Sequence, residues 1–153
     1  MDPQTIPFVK EEIIRNTIKS HASLLLTGWR KIGKSVSAVK AAMSVADTYY
    51  FNPLGIVPVE DIKERSATAD LVSFVSGIEL SDENFTVLVV DNYEKLLPED
   101  AEIMRSLLTE KRSSLRLILI SGAFDIITPI MKDIEAVVRI KQDTAELIYT
   151  LKN

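Results

Sequence analysis

Short apolar runs alternate with longer amphipathic stretches along most of this sequence. Strands that are hydrophobic throughout are typical of parallel sheets, whose two faces are both covered by helices. The alternation therefore predicts an α/β domain of three layers, with a parallel five-stranded sheet and helices on both faces. The predicted strands are SLLLTG (23–28), DTYYFNP (47–53), NFTVLVVDN (84–92), LRLILISG (115–122) and AVVRIK (136–141).

The stretches between the predicted strands carry apolar residues at helical spacing. They predict helices over 7–20, 34–46, 58–77, 98–112 and 127–134, and the beginning of a further helix in the final segment, 143–153. No internal repeat or linker interrupts this pattern. We therefore expect residues 1–153 to form a single domain, which is an ordinary domain size.

The composition narrows the classes of function. With 18 basic and 22 acidic residues the net charge is −4, so we expect any contact with DNA to be weak or indirect. The absence of cysteine excludes disulfides and thiolate metal sites, and His21 is the only histidine. No apolar run approaches the roughly 20 residues of a membrane span, which leads us to expect a cytoplasmic protein without a membrane contact.

One motif carries most of the functional information. The segment between the first strand and the following helix has the pattern G-x-x-x-x-G-K-[ST], that of a loop whose backbone N–H groups cradle phosphate oxygens. The lysine neutralises the β- and γ-phosphates, and the helix N-terminus adds its dipole. The candidate nucleotide-binding residues are Gly28, Trp29, Arg30, Lys31, Ile32, Gly33, Lys34 and Ser35.

An acidic residue follows the most apolar strand. Asp91 ends TVLVVD, and ligands of open parallel sheets gather at the carboxyl ends of the strands. This position suits a carboxylate that holds Mg²⁺, directly or through water, beside the hydroxyl of Ser35. The sequence therefore predicts ATP and Mg²⁺ as cofactors, with Ser35 and Asp91 as the metal-binding pair.

Hydrolysis also requires a group that polarises the attacking water. Asn92 follows Asp91 and cannot accept a proton, whereas Glu94 carries a carboxylate two residues further on. Ser121, at the end of the next strand, is placed to contact the γ-phosphate or a water. These three residues are the catalytic candidates, and the sequence leaves open whether the chain is an ATPase.

The same segments resemble the ATPase domain of the AAA+ family, in particular bacterial DNA polymerase III clamp-loader subunits of the delta-prime and gamma/tau type. The resemblance covers about residues 8–141. It rests on SHASLLLTGWRKIGKS, on GIVPVEDIKE, on VLVVDNYEKLLPEDAEIMRSLLTE with its Walker B aspartate, and on LRLILISGAFDIITPIMKDIEAVVRI.

The resemblance implies an oligomeric assembly with protein partners in DNA replication, and it favours ATP over GTP. This sequence departs from the family at several points. The family usually has Asp-Glu where this chain has Asp91-Asn92, and no arginine stands near 132–134, where the family carries its arginine finger. The family's helical lid and collar are also not found in this sequence.

We therefore expect Mg-ATP binding with weak or partner-dependent hydrolysis in a clamp-loader-like assembly. One alternative is a non-catalytic scaffold or adaptor subunit that keeps the fold; Asn92 and the missing arginine favour it, while the intact Lys34-Ser35 pair argues for binding. Another alternative is a small-molecule kinase, although Arg112, Arg116 and Arg139 are scattered and do not form an obvious lid.

Overall fold

The computed structural model describes residues 5–28, 34–55, 62, 64–66, 70–80, 83–122, 132–140 and 145–150. In this part of the chain, helices and strands alternate much as the sequence predicts. The helices are α1 (Thr5–Ser20), α2 (Lys34–Met43), α3 (Leu71–Ser76) and α4 (Pro98–Glu110). The strands are β1 (Ser23–Gly28), β2 (Asp47–Phe51), β3 (Glu64–Ser66), β4 (Thr86–Val90), β5 (Leu115–Ile120), β6 (Ala136–Ile140) and β7 (Ala145–Thr150).

The described strands form one sheet in the order β3-β2-β4-β5-β1-β6-β7. All neighbouring strands are parallel except β6 and β7, which are antiparallel. Strand β5 lies between β1 and β4, and its Leu119 pairs with Leu25 on one side and Val90 on the other. The carboxyl ends of β1, β5 and β4 therefore meet at the same edge of the sheet.

Helices cover both faces of the sheet, which confirms the predicted three layers. Successive residues of a strand point to opposite faces: Leu24 and Leu26 pack in one core with residues of α1 and α2, and Leu25 packs in the other with residues of α3 and α4. The helical members of the first core are Ile14, Ile18, Ala38, Val39, Ala41 and Ala42, and those of the second are Leu71, Phe74, Met104 and Leu108.

The five predicted strands are all present and form the parallel centre of the sheet. The prediction that the sheet has five strands is wrong, because an additional strand lies at each edge. The helix predicted for the final segment, 143–153, is likewise wrong where it is described, since Ala145–Thr150 is strand β7. The reason is strand pairing: β7 pairs antiparallel with β6, which ends only a few residues earlier, and this pairing favours a strand over a helix.

The helix predicted over 58–77 is also corrected. Residues 64–66 form β3, which pairs with β2, and the helix begins only at Leu71. Asp70 explains this start, because its carboxylate accepts a hydrogen bond from the Ser73 backbone N–H at 2.8 Å as an N-cap. The short helix predicted over 127–134 lies mostly outside the described residues. None of the helices in the described ranges combines the length and apolar character that crossing a bilayer requires.

The central strands should dominate the stability of the fold. Ile118 of β5 is fully buried, whereas Ile148 of the edge strand β7 is 43% exposed. We expect Ile118→Ala to lower the free energy of unfolding by about 2–5 kcal/mol, because it leaves a cavity in the core. The matched change Ile148→Ala should cost no more than about 1 kcal/mol. Denaturant titration followed by circular dichroism measures both; equal losses would contradict this arrangement of the sheet.

Candidate functional site

The site begins where β1 ends. Gly28 closes β1 with a φ of 141°, a backbone conformation that residues with a side chain rarely adopt. The chain next enters the described structure at Lys34, the first residue of α2. The motif thus connects a buried strand to a helix N-terminus, which is the setting its chemistry requires. Trp29, Arg30, Lys31, Ile32 and Gly33 lie outside the described residues.

The side chain of Lys34 lies over the end of the sheet. Its Nζ atom donates a hydrogen bond to the Gly28 carbonyl oxygen at 2.7 Å. Gly122, just after β5, is close by, since a Cβ atom added there would lie 3.7 Å from Lys34 Nζ. The positive charge is therefore held between the ends of two adjacent strands, at the edge where parallel sheets bind ligands.

Asp91 lies directly after β4 and is 6% exposed. Its Oδ2 atom accepts a hydrogen bond from the Ser35 hydroxyl of α2 and another, at 2.5 Å, from the Tyr50 hydroxyl of β2. Its Oδ1 atom accepts from the Asn92 backbone N–H at 2.8 Å. The carboxylate is thus fixed by donors from a helix, a neighbouring strand and the following turn, as a buried charge requires.

Tyr50 belongs to a small polar network behind Asp91. Burial, together with the neighbouring Asp91 carboxylate, raises the pKa of Tyr50 above its usual value, so the phenol keeps its proton. Asn52 donates from Nδ2 to the Tyr50 hydroxyl oxygen at 3.2 Å. The Asn52 Oδ1 atom accepts from Leu54 N at 2.9 Å and from Asn92 Nδ2 at 3.0 Å. The network connects the ends of β2 and β4.

These groups suit a phosphate chain carrying a magnesium ion. Lys34 offers an ammonium group that can bind phosphate oxygens. The Ser35 hydroxyl and the Asp91 carboxylate are hard oxygen donors in direct contact, so both can serve the same small cation or its bound water. The donor set therefore fits Mg²⁺, with Ser35 and Asp91 as the residues that would hold it.

The three catalytic candidates lie around the same edge of the sheet in different settings. Asn92 has a left-handed backbone with φ 48°, and its amide is engaged with Asn52. Glu94 lies on the 3₁₀ turn Tyr93–Lys95, and its Oε2 atom is buried without a hydrogen-bond partner among the described residues. Ser121 is buried at the end of β5, where its N–H donates to Leu26 O at 3.0 Å.

Sequence reasoning missed Tyr50 and Asn52, which it treated only as part of an apolar strand. The pairing of β2 with β4 brings them to the site: Tyr50 pairs with Val89 and Phe51 with Val90, so Asn52 comes level with Asp91. The available signal was a polar residue directly after an apolar strand, the same signal that identified Asp91. It becomes informative only when the order of the strands is known.

Comparison with known proteins supports the fold. No protein-family model matches the sequence, and no curated protein matches it significantly. Among solved structures, the chain is similar to a DNA polymerase III gamma subunit-related protein from Thermotoga maritima, with a TM-score of 0.61 and 13% identity. That match covers 86% of this chain and 46% of the other, so this chain spans less than half the length of that protein.

Two further structures share the fold. One is a protein from Pyrococcus horikoshii OT3, with a TM-score of 0.56 and 8% identity over 94% of both chains. The other is the cytoplasmic domain of the type VII secretion ATPase EccC from Thermomonospora curvata, with a TM-score of 0.52 and 17% identity. That match covers 80% of this chain and 19% of EccC. Together with the sheet order and the motif, these similarities show that the chain has the α/β fold of P-loop nucleoside triphosphatases.

The left-handed backbone at Asn92 should change the free energy of unfolding when the residue is replaced. Asn92→Gly and Asn92→Ala both remove the amide that contacts Asn52, but only alanine keeps a Cβ atom at φ 48°. We expect the glycine variant to be more stable than the alanine variant by about 0.5–1 kcal/mol, because the strain at alanine exceeds the entropy cost of glycine. Urea titration compares the two; a more stable alanine variant would contradict this backbone geometry.

Proposed function

We propose that this chain is a Mg-ATP-binding domain of the AAA+ type, with weak or partner-dependent ATPase activity. The observation that carries the proposal is the direct contact between the Ser35 hydroxyl and the Asp91 carboxylate, with the Lys34 ammonium at the adjacent strand end. Lys34 and Ser35 begin α2, whereas Asp91 follows β4, more than fifty residues further along the sequence. Each supplies one of the groups that a triphosphate with Mg²⁺ needs.

The nucleotide would be held mainly by its phosphates. The loop from Gly28 to Lys34 carries the motif of backbone N–H donors, and α2 begins directly after it. When bound, Mg²⁺ would neutralise charge on the phosphate oxygens, and Ser35 and Asp91 would hold it. The preference for ATP over GTP rests on the resemblance to AAA+ domains, because the sequence has no N-K-x-D motif for guanine.

Weak hydrolysis follows from the residue after Asp91. Asn92 has no group that can accept a proton, and its amide donates to Asn52. Among the described residues, Glu94 is the candidate for a proton acceptor, because its buried Oε2 atom has no hydrogen-bond partner there. Ser121, at the end of the central strand β5, is the candidate for a contact with the γ-phosphate or with water.

The setting that we propose is an oligomeric, clamp-loader-like assembly in the cytoplasm. Support comes from the sequence resemblance and from a fold shared with a DNA polymerase III gamma subunit-related protein. In such an assembly a subunit offers an arginine to the nucleotide site of its neighbour, and this chain, with no arginine near 132–134, would not activate a neighbour in that way. Any contact with DNA would then be made largely by partners, given the net charge of −4.

A second candidate function is a scaffold subunit that binds nucleotide without hydrolysing it. The observation that favours it is the Asn92–Asn52 amide pair, which occupies the position where active members of the family usually carry glutamate. This candidate shares the phosphate site with the first. The two differ only in the rate of phosphate release.

The phosphate site can be tested by changing one ammonium group. We expect Lys34→Ala to weaken Mg-ATP binding roughly 10–100-fold, because a charged hydrogen bond contributes about 1.5–3 kcal/mol. Lys40→Ala is the matched control, since Lys40 is exposed near the end of the same helix. Isothermal titration calorimetry measures both. Equal affinities of the two variants and the wild type would contradict the proposed site.

The proposed cause of weak hydrolysis can be tested at Asn92. We expect Asn92→Glu to raise the rate of phosphate release at least about tenfold, because a carboxylate there can accept a proton from the attacking water. Asn92→Gln has the same length without the base and should release phosphate at the wild-type rate. If the two variants release phosphate equally, the missing base is not what limits hydrolysis.

A further inference from the structure

We propose that Tyr50 is a positioning residue for the magnesium end of this site, and that its hydroxyl holds the Asp91 carboxylate toward Ser35. The inference rests on the proposed function and adds a residue that lies outside the phosphate-loop motif and the acidic strand end. Its basis is one contact: the Tyr50 hydroxyl donates to Asp91 Oδ2 at 2.5 Å, and the same oxygen accepts a hydrogen bond from Ser35.

The Tyr50 hydroxyl is held rigidly. The residue is fully buried in the core formed with α1 and α2, and its backbone pairs with Val89 of β4 in parallel register. A ring packed in this way has few alternative positions for its hydroxyl group. Tyr50 therefore presents a donor at a fixed point beside the carboxylate.

Asn52 sets the direction in which that donor points. Its Nδ2 atom donates to the Tyr50 oxygen at 3.2 Å, so this oxygen uses a lone pair toward Asn52 and directs its proton to Asp91. Asn52 is itself fixed, because its Oδ1 atom accepts from Leu54 N and Asn92 Nδ2. The side chains thus form a continuous series from the turn after β2 to the carboxylate.

The hydrogen bond from Tyr50 to Asp91 is important because the Ser35 hydroxyl cannot be counted on to hold Asp91 once a cation binds. The Ser35 hydroxyl is itself a candidate ligand of the cation, so its hydrogen bond to Asp91 competes with cation binding. The Tyr50 hydroxyl is not among the candidate ligands of the cation, so its hydrogen bond to Asp91 can persist when the Ser35 hydroxyl turns to the cation. Tyr50 and the Asn92 N–H can therefore keep both carboxylate oxygens in place when Ser35 serves the cation. Groups that orient a metal ligand in this way typically contribute 10–100-fold to metal affinity.

The test compares two neighbouring tyrosines. Tyr50→Phe removes the hydroxyl that contacts Asp91, whereas Tyr49→Phe removes a buried hydroxyl that accepts from Glu79 N at 3.1 Å in the other core. Binding of a fluorescent ATP analogue is measured across a Mg²⁺ titration and again in EDTA. We expect the half-saturating Mg²⁺ concentration to rise about tenfold in Tyr50→Phe alone, with analogue binding in EDTA unchanged in both variants.

Direct metal binding gives an independent readout. Free Mn²⁺, followed by electron paramagnetic resonance in the presence of ADP, should bind about tenfold more weakly to Tyr50→Phe than to wild type or to Tyr49→Phe. If Tyr50→Phe does not fold, Asn52→Ser takes its place. Serine can still accept from Leu54 N but does not supply the amide donor, and we expect a smaller shift in the same direction.

The outcomes separate the two proposals. If the wild type shows no Mg²⁺-dependent binding, the proposed function is wrong and this inference is wrong with it. If the wild type binds with Mg²⁺ and Tyr50→Phe (or Asn52→Ser in its place) follows the same Mg²⁺ curve, only the inference is overturned. Equal shifts in Tyr50→Phe and Tyr49→Phe would also overturn it, because they would indicate a general effect of losing a buried hydroxyl.

Discussion

The parallel register of three strands decides where the candidate site lies. Strand β5 pairs with β1 on one side and β4 on the other, and Leu119 is level with both Leu25 and Val90. Because adjacent strands are about 4.8 Å apart, the ends of β1 and β4 lie about 10 Å from each other. Ser35, in the first turn of α2, lies at this gap, and its hydroxyl donates a hydrogen bond to Asp91. Without this register, the motif and the carboxylate would not meet.

The buried carboxylate of Asp91 imposes the next constraint. A charge that is 6% exposed must be compensated by hydrogen bonds, and three donors from three segments surround it. Two of these donors, the Tyr50 hydroxyl of β2 and the backbone N–H of Asn92, are not candidate ligands of the cation. The third, Ser35, is also a candidate ligand. A site of this kind holds its acidic group in a fixed orientation while leaving one donor able to change partners.

Local patterns predict the centre of the fold and the residues that meet at its edge, and pairing between strands decides the rest. Uniformly apolar strands and the motif beginning at Gly28 are local signals, so the five parallel strands and the Lys34–Ser35–Asp91 constellation follow from the sequence. Strand β7 does not, because its partner β6 supplies the backbone hydrogen bonds that make it a strand. Tyr50 and Asn52 do not either, since only the order of the strands places β2 beside β4.

A crystal structure with Mn²⁺ and a non-hydrolysable ATP analogue tests the proposed site most directly. Manganese replaces magnesium at oxygen sites and is located by its anomalous scattering. We expect one strong peak within coordination distance of the Ser35 hydroxyl and beside Asp91, with phosphate density next to Lys34. A nucleotide bound at another surface, or an ordered phosphate chain with no metal near Ser35 and Asp91, would contradict it.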